Sequence, residues 1–248
     1  NNNLMPKLDI LWEGKLLLDY IKWNKKLINK FKFSNQYKTE AKKHWNKHTK
    51  ENPNDYDGTL IFLSNYYLKN NLLLLDIEKM KFSMATYMLT KTITLTEGLG
   101  VLGTQYLVFS PNLEHILIGQ RALSQSYFPG AINIPGGIVE INDLDRPPQV
   151  ALTRELFEEV CIPLKPTFFL RAILGGWDNI SITFLISATV SESYDFKPDE
   201  LVSSDKNEWE GHLKWLSISS LEKMPSDNFL DGLVYYQLKL NKDGGFIE

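Results

Sequence analysis

Three glutamates raise the first question. Glu155, Glu158 and Glu159 fall in RELFEEV at spacings of three and four, which on a helix brings their carboxylates to one face. Like charges that close repel. Arg154, one turn before Glu158, can pair with one of them but cannot neutralise three. A hard divalent cation can: Mg²⁺, or Mn²⁺, prefers carboxylate and carbonyl oxygens and keeps positions open for water and substrate phosphates. Upstream stands Pro135-Gly136-Gly137. Adjacent glycines let the backbone come close to such a site and offer the Gly137 carbonyl as a further donor. The plainer reading is a solvated helix with i, i+4 ion pairs. The glycine turn, and the apolar strand over 131–134 that leads into it, weigh against that reading.

These groups need a helix and a turn to hold them. Leu152, Leu156 and Val160 recur at steps of four and predict one buried stripe. Asp145 is the expected N-cap, and Pro147 and Pro148 suit the first turn, where backbone N–H groups lack intrahelical partners.

The glycine pair followed by RELFEEV and an aliphatic residue resembles the Nudix box, which reads Gly, five residues, Glu, seven residues, Arg-Glu, aliphatic, any residue, Glu-Glu, any residue, Gly, aliphatic. Gly137, Arg154, Glu155, Leu156, Glu158, Glu159 and Ile162 match. The resemblance implies an α/β/α sandwich with a mixed sheet and a loop–helix–loop that binds Mg²⁺. It also implies hydrolysis of a nucleoside diphosphate linked to another moiety. Glu155, Glu158 and Arg154 would form the catalytic set, and Glu155, Glu158, Glu159 and Gly137 would hold the metal. A further ligand in the family comes from a loop before the last strand, here Glu208, with Glu210 as the alternative.

Three features depart from the pattern. Residues 138–153 separate Gly137 from Arg154, three more than the box allows. Asp143 stands where the early Glu belongs, with Glu140 nearby. In the family that acid fastens the loop to the helix through the arginine, a role open to Asp143. Cys161 replaces the closing Gly, whose left-handed backbone costs other residues about 1–2 kcal/mol, so the helix is expected to end differently.

Within the superfamily the chain resembles the branch that hydrolyses UDP-glucose and UDP-galactose. The likeness lies in Leu11-Trp12-Glu13, NDYDGTLIFL, Ala85-Thr86-Tyr87, the long box, and the Glu159-Val160-Cys161-Ile162-Pro163-Leu164 ending. It implies UMP and a sugar 1-phosphate as products. Arg121, just upstream of the box, is a candidate phosphate contact because a guanidinium matches phosphate bidentately, the alternative being a surface arginine. Tyr87 and Trp12 are candidates to stack on a base or to support the core.

The bulk numbers fit a globular protein: 248 residues, 43% hydrophobic, 23% charged, net charge −3. Such a charge does not by itself declare a nucleic-acid or membrane partner. A single cysteine excludes an internal disulfide or a cysteine metal cage, and the cytoplasm is the expected compartment. Apolar runs such as residues 72–75 are too short to cross a bilayer, and no secretory leader is read. The chain opens Asn-Asn-Asn rather than with Met, so a few leading residues are expected to have been removed.

A division is expected near residues 96–98. Residues 1–97 would be a helical and strand (α+β) extension, and 98–248 the hydrolase domain. Ten lysines and one acid lie between Lys22 and Lys50, interleaved with aromatics. They predict amphipathic helix with a solvated lysine face, the alternative being a surface for RNA. Strands are expected at 59–63, 72–75 and 81–89, a hairpin around Pro111-Asn112, strand structure within 174–190, and a strand running into a helix capped by Ser217 or Ser219. Two other functions remain open. One is hydrolysis of capped mRNA, ADP-ribose or a dinucleotide. The other is a non-catalytic nucleotide-binding module. Oligomeric state is not legible.

Overall fold

The structure is a computed structural model that describes residues 8–25, 33–90, 100–125, 128–175, 180–202, 209 and 212–246. The chain begins with β1 (Asp9–Leu17), β2 (Ile21–Lys25), α1 (Asn35–Glu51), β3 (Thr59–Lys69), β4 (Leu72–Lys81) and α2 (Phe82–Thr90). Then follow β5 (Gly100–Phe109), β6 (His115–Gln120), β7 (Ile132–Asn133), β8 (Gly136–Ile138), a 3₁₀ turn (Ile141–Asp145), α3 (Pro148–Ala151) and α4 (Arg154–Glu159). The last elements are β9 (Phe169–Gly175), β10 (Ser181–Thr189), β11 (Leu201–Val202), β12 (Leu213–Ser217), α5 (Ile218–Lys223) and α6 (Asp231–Asp243).

Strand alternation explains the layering. Leu102, Tyr106 and Val108 of β5 turn to the face covered by Leu152, Leu156 and Val160. Leu107, and Leu185 of β10, turn to the other face, under Leu221, Leu233 and Tyr236 of α5 and α6. Period-2 side chains with apolar residues on both faces require helices on both faces. The result is the expected α/β/α arrangement on a mixed sheet, ordered β1-β9-β10-β5-β3-β4-β2. The β5–β10 and β2–β4 pairs are parallel, and β6 and β8 also pair with β5.

The N-terminal strands join this sheet. Phe62 and Leu63 of β3 pair with Val101 and Gly100, and β1 pairs along β9. Residue 98 lies outside the described residues, and the strands on either side of it share one sheet. The β3–β4 hairpin turns at Asn70 and Asn71, with φ of 51° and 62°; asparagine tolerates the left-handed region that a two-residue hairpin needs.

Several expectations hold. Over residues 35–51 the lysine-rich segment is helical, with Lys38, Lys42, Lys43, Lys47 and Lys50 exposed along it and Ser34 at its cap, while Lys22 and Lys25 of that segment lie in β2. Ser217 is the cap of α5, and β5 and β6 form the hairpin around Pro111-Asn112. Two expectations are corrected. Residues 82–89, read as strand, lie in α2. Asp57 accepts hydrogen bonds from Ser83 N (2.8 Å) and Oγ (2.9 Å), starting a helix that a short apolar run cannot be told from by pattern alone. Asp145 does not cap the box helix. It belongs to the 3₁₀ turn, and Pro147 takes the N-cap position. No helix among the described residues is long and apolar enough to cross a membrane.

Candidate active site

The box helix comes in two pieces. Thr153 breaks it with φ −114° and ψ 1°, while its hydroxyl bonds back to Gln149 O at 2.7 Å, a contact that bends helices. At the break Tyr106 Oη donates to Leu152 O at 2.6 Å and accepts from Thr104 Oγ1 at 2.8 Å. Tyr106 is fully buried, and burial pushes its phenol pKa up, so it stays a neutral donor. The buried stripe of Leu152, Leu156 and Val160 fixes the roll of the helix, as expected.

Arg154 is the hub of the site. Its Nε meets Asp143 Oδ1 at 2.8 Å, Nη2 meets Glu155 Oε1 at 2.8 Å, and Nη1 meets Glu158 Oε2 at 2.9 Å. Nη2 also donates to Ile138 O at 3.1 Å. Burial alone would lower its pKa; the carboxylates of Glu155, Asp143 and Glu158 outweigh that and raise it above the ordinary guanidinium value. The acid that ties the loop to the arginine is therefore Asp143. Glu140 serves differently, forming a capping box with Asp143, whose Oδ2 accepts from Glu140 N at 2.8 Å.

The two glycines are required by close approach. A Cβ on Gly137 would lie 2.5 Å from Glu155 Cγ and 2.8 Å from its Oε1; one on Gly136 would overlap Thr104 O. Gly136 N donates to Glu159 Oε2 at 3.2 Å, so the buried Glu159 holds the turn. The three glutamates thus differ in setting. Glu159 is buried, Glu155 is mostly covered, and the Glu158 side chain is 58% exposed. After Glu159 the chain leaves in extended conformation, with Val160 at φ −110°. The only non-glycine residues of positive φ among those described are Asn70, Asn71, Leu113 and Phe128, so Cys161 needs no left-handed turn.

A cleft of about 290 Å³ opens beside the glycine turn. Its lining includes Gly136, Gly137 and Ile138 at the turn, Arg121 and Asn133, and Phe82 and Thr86 of α2. Arg121, the candidate phosphate contact, is among the residues that line this cleft, and its Nη2 donates to Gln125 Oε1 at 3.3 Å. Tyr87 is buried and turns back toward α1, where its hydroxyl donates to Glu40 and its ring packs edge-on against Tyr37. Trp12 packs against the core. Glu208 and Glu210 lie outside the described residues. Among those described, no three His, Cys, Asp or Glu side chains form a group able to hold a metal.

Sequence reasoning missed other wall residues: Gln105, Asn133 and Asp231. Gln105 shares a strand face with Gly103, and its Oε1 accepts from Gly232 N at 2.7 Å, docking the start of α6 on the cleft. Asn133 is buried, and its Oδ1 has no hydrogen-bond partner among the described residues. Strand alternation could have placed Gln105; nothing in the sequence marked Asn133 or Asp231.

No protein-family model matches the chain. No curated protein matches it. Solved structures do show likeness. The NUDIX domain of Shewanella oneidensis NrtR, complexed with ADP ribose, is 18% identical over 63% of this chain and 96% of that one, with a TM-score of 0.41. The MutT protein from Methanosarcina mazei Go1 is 15% identical over 57% and 95%, with a TM-score of 0.37. A bifunctional NMN adenylyltransferase/ADP ribose pyrophosphatase from Francisella tularensis is 22% identical over 61% and 43%, with a TM-score of 0.40. At these identities and TM-scores the likenesses carry no argument about activity, and the mixed α/β fold stands on the sheet and helices described above.

Proposed function

We propose that the chain is a metal-dependent pyrophosphohydrolase of the Nudix type. Its substrate class is a nucleoside diphosphate linked to another moiety, with a nucleotide sugar such as UDP-glucose as the first candidate. The observation that carries this reading is the adjacency of two features. The Arg154 hub with its glutamates packs against the Gly136–Gly137 turn, and that turn lines a cleft that Arg121 also lines.

The donor chemistry fits a hard divalent cation. Glu155 lies against Gly137 where a Cβ would otherwise stand, and Glu159 Oε2 accepts from Gly136 N, so two carboxylates lie at one glycine turn. Glu155, Glu158, Glu159 and the Gly137 carbonyl would hold Mg²⁺ or Mn²⁺, with Glu208 as a further ligand. The bound cation would supply charge neutralisation on the phosphate oxygens and acidify a water.

The chain's own residues do the remaining work. Arg121 orients a phosphate in the cleft, and Thr86, whose hydroxyl donates to Ser83 O, lines its wall. Glu158, the most water-accessible of the three, takes the proton from the attacking water at its carboxylate. The water oxygen bonds to one phosphorus, the bridging P–O bond breaks, and a nucleoside monophosphate and a sugar 1-phosphate leave.

A specific observation favours a second reading, a nucleotide-binding module without turnover: Arg154 itself occupies both Glu155 and Glu158. One experiment separates the two. UDP-glucose, ADP-ribose, NADH, dinucleoside polyphosphates and capped RNA are offered with Mg²⁺ or Mn²⁺, and phosphate is read after phosphatase coupling. Turnover that disappears in Glu158→Gln, with folding unchanged, supports the hydrolase. Binding without turnover of any of these supports the module.

A further inference from the structure

A second cavity, also about 290 Å³, lies at the other end of the β5–β10 pair and shares no lining residue with the cleft. The cleft takes Ser181 and Thr183 of β10; this cavity takes Ser187 and Thr189. The midpoints of the two pairs are offset by six residues along β10, roughly 20 Å at about 3.3 Å per residue. Helix α6 spans the same interval on that face, with its start at the cleft and Gly244 and Phe246, just past its end, at the cavity.

Paired irregularities in two strands build this cavity. Along β9 and β10, Ala172 faces Leu185 and Leu170 faces Ile186, leaving Arg171 as an extra, bulged residue. Along β1 and β9, Glu13 faces Ala172 and Leu16 faces Leu170, so Gly14 and Lys15 stand opposite the same Arg171. Bulges re-aim side chains, and this pair delivers two cations to one cavity. Arg171 is 7% exposed, donates from Nε to Ser187 Oγ at 2.9 Å, and its guanidinium lies 4.6 Å from the Phe246 ring centroid. Lys15 Nζ lies 4.8 Å from the Phe169 ring centroid. Lys165 adds a third cation at the rim, with its exposed partner Glu192 at 3.2 Å.

No Asp or Glu is among the lining residues. The end of α6 adds about half a negative charge, and Glu192 pairs with Lys165 from outside the lining. The donor set of two ammoniums, a guanidinium and the hydroxyls of Thr167, Ser187 and Thr189 suits a group with several anionic oxygens, and Phe109 and Leu113 give an apolar wall for an organic body. We propose that this cavity is a binding site for a small organic phosphate, separate from the cleft.

The test is calorimetric titration of the full chain, in EDTA, with UMP and with inorganic phosphate. Three proteins are compared: wild type, the rim variant Lys15→Gln/Lys165→Gln, and Arg121→Gln. The rim variant spares the buried Arg171, and its unfolding temperature checks that it folds. The expected result is a binding component that weakens at least tenfold in the rim variant and persists in Arg121→Gln. Tighter binding of UMP than of phosphate assigns the site to a nucleotide; equal binding assigns it to the phosphate group alone. If the rim variant titrates like wild type, or neither compound binds wild type, the proposal is overturned. Both results are independent of hydrolysis.

Discussion

Replacing Asp143 tests how the long loop of the box is fastened. Its carboxylate is only 4% exposed and makes two bonds of 2.8 Å, accepting from Arg154 Nε on one oxygen and Glu140 N on the other. A hydrogen bond to a charged group contributes roughly 1.5–3 kcal/mol, and leaving a buried N–H without its acceptor costs about 1–3 kcal/mol. Arg154 keeps Glu155 and Glu158, so Asp143→Ala does not strand a buried cation, and the larger penalties of broken buried pairs do not apply. The loss should be about 3 kcal/mol, the upper end of that range for a charged hydrogen bond. For a chain of this size 1 kcal/mol corresponds to about 2–4 °C, so the unfolding temperature should fall by roughly 6–12 °C. Asp143→Asn, which keeps the shape and one acceptor, should lose about half of that. A double-mutant cycle with Arg154→Ala should give a coupling within the roughly 0.5–3 kcal/mol seen for contacting residues. Calorimetry on purified variants reads all of this. An Asp143→Ala protein that melts within about 2 °C of wild type, less than 1 kcal/mol on the same scale, with no coupling to Arg154, would show that the pair does not anchor the loop.

Further expectations concern the same turn and its supports. Gly137→Ala pushes a methyl into Glu155, a flexible side chain that can swing away. It should cost little stability, about 1 kcal/mol or less, yet lower kcat/KM on the best substrate of the panel by about 10²-fold, the size expected when a catalytic group is displaced. Tyr106→Phe removes the hydroxyl between Leu152 O and Thr104 Oγ1 and should cost about 1–3 kcal/mol, visible as a lower denaturation midpoint. His44 lies on α1, and burial, then the neighbouring His48 and Lys47, depress its pKa. A histidine whose folded pKa is lowered favours the native state above its unfolded pKa and loses that advantage as pH falls through it. The unfolding temperature should therefore drop as pH falls from about 6.5, the ordinary histidine value, downward, and less steeply in His44→Gln; equal slopes would remove His44 from the account.

Much of this was legible because the relevant signals are local. The stripe at 152, 156 and 160, the cap at Ser217, and the arginine with its glutamates all depend on spacing along one helix or turn. Local patterns failed where a distant group decided the outcome. Residues 82–89 are helical because Asp57, in the loop before β3, supplies the first hydrogen bonds. Asp145 lost its capping role because the 3₁₀ turn claimed it. The convergence of the three glutamates was only half legible: periodicity puts them near one another, but it cannot say that the fold buries Glu159 and leaves Glu158 in water. Asn133 and Asp231 reached the cleft through strand and helix packing that no motif encodes.

The long gap between Gly137 and Arg154 finds its physical reason in the N-terminal elements. Extra residues let the loop fold into a 3₁₀ turn that buries Leu144 and raises Asp143 to the arginine, offsetting the shorter reach of aspartate. The same loop is held from the other side. Ile61 N of β3 donates to Val139 O at 3.4 Å, Trp23 Nε1 of β2 donates to Arg146 O at 2.9 Å, and Gln149 Nε2 donates to Ile21 O at 3.4 Å. A shorter loop would have no carbonyl at the position of Arg146 to meet Trp23. The loop between Gly137 and Arg154 and the strands before residue 97 are therefore parts of one arrangement: β2 and β3 lie against the loop and hold the stretch that carries Asp143.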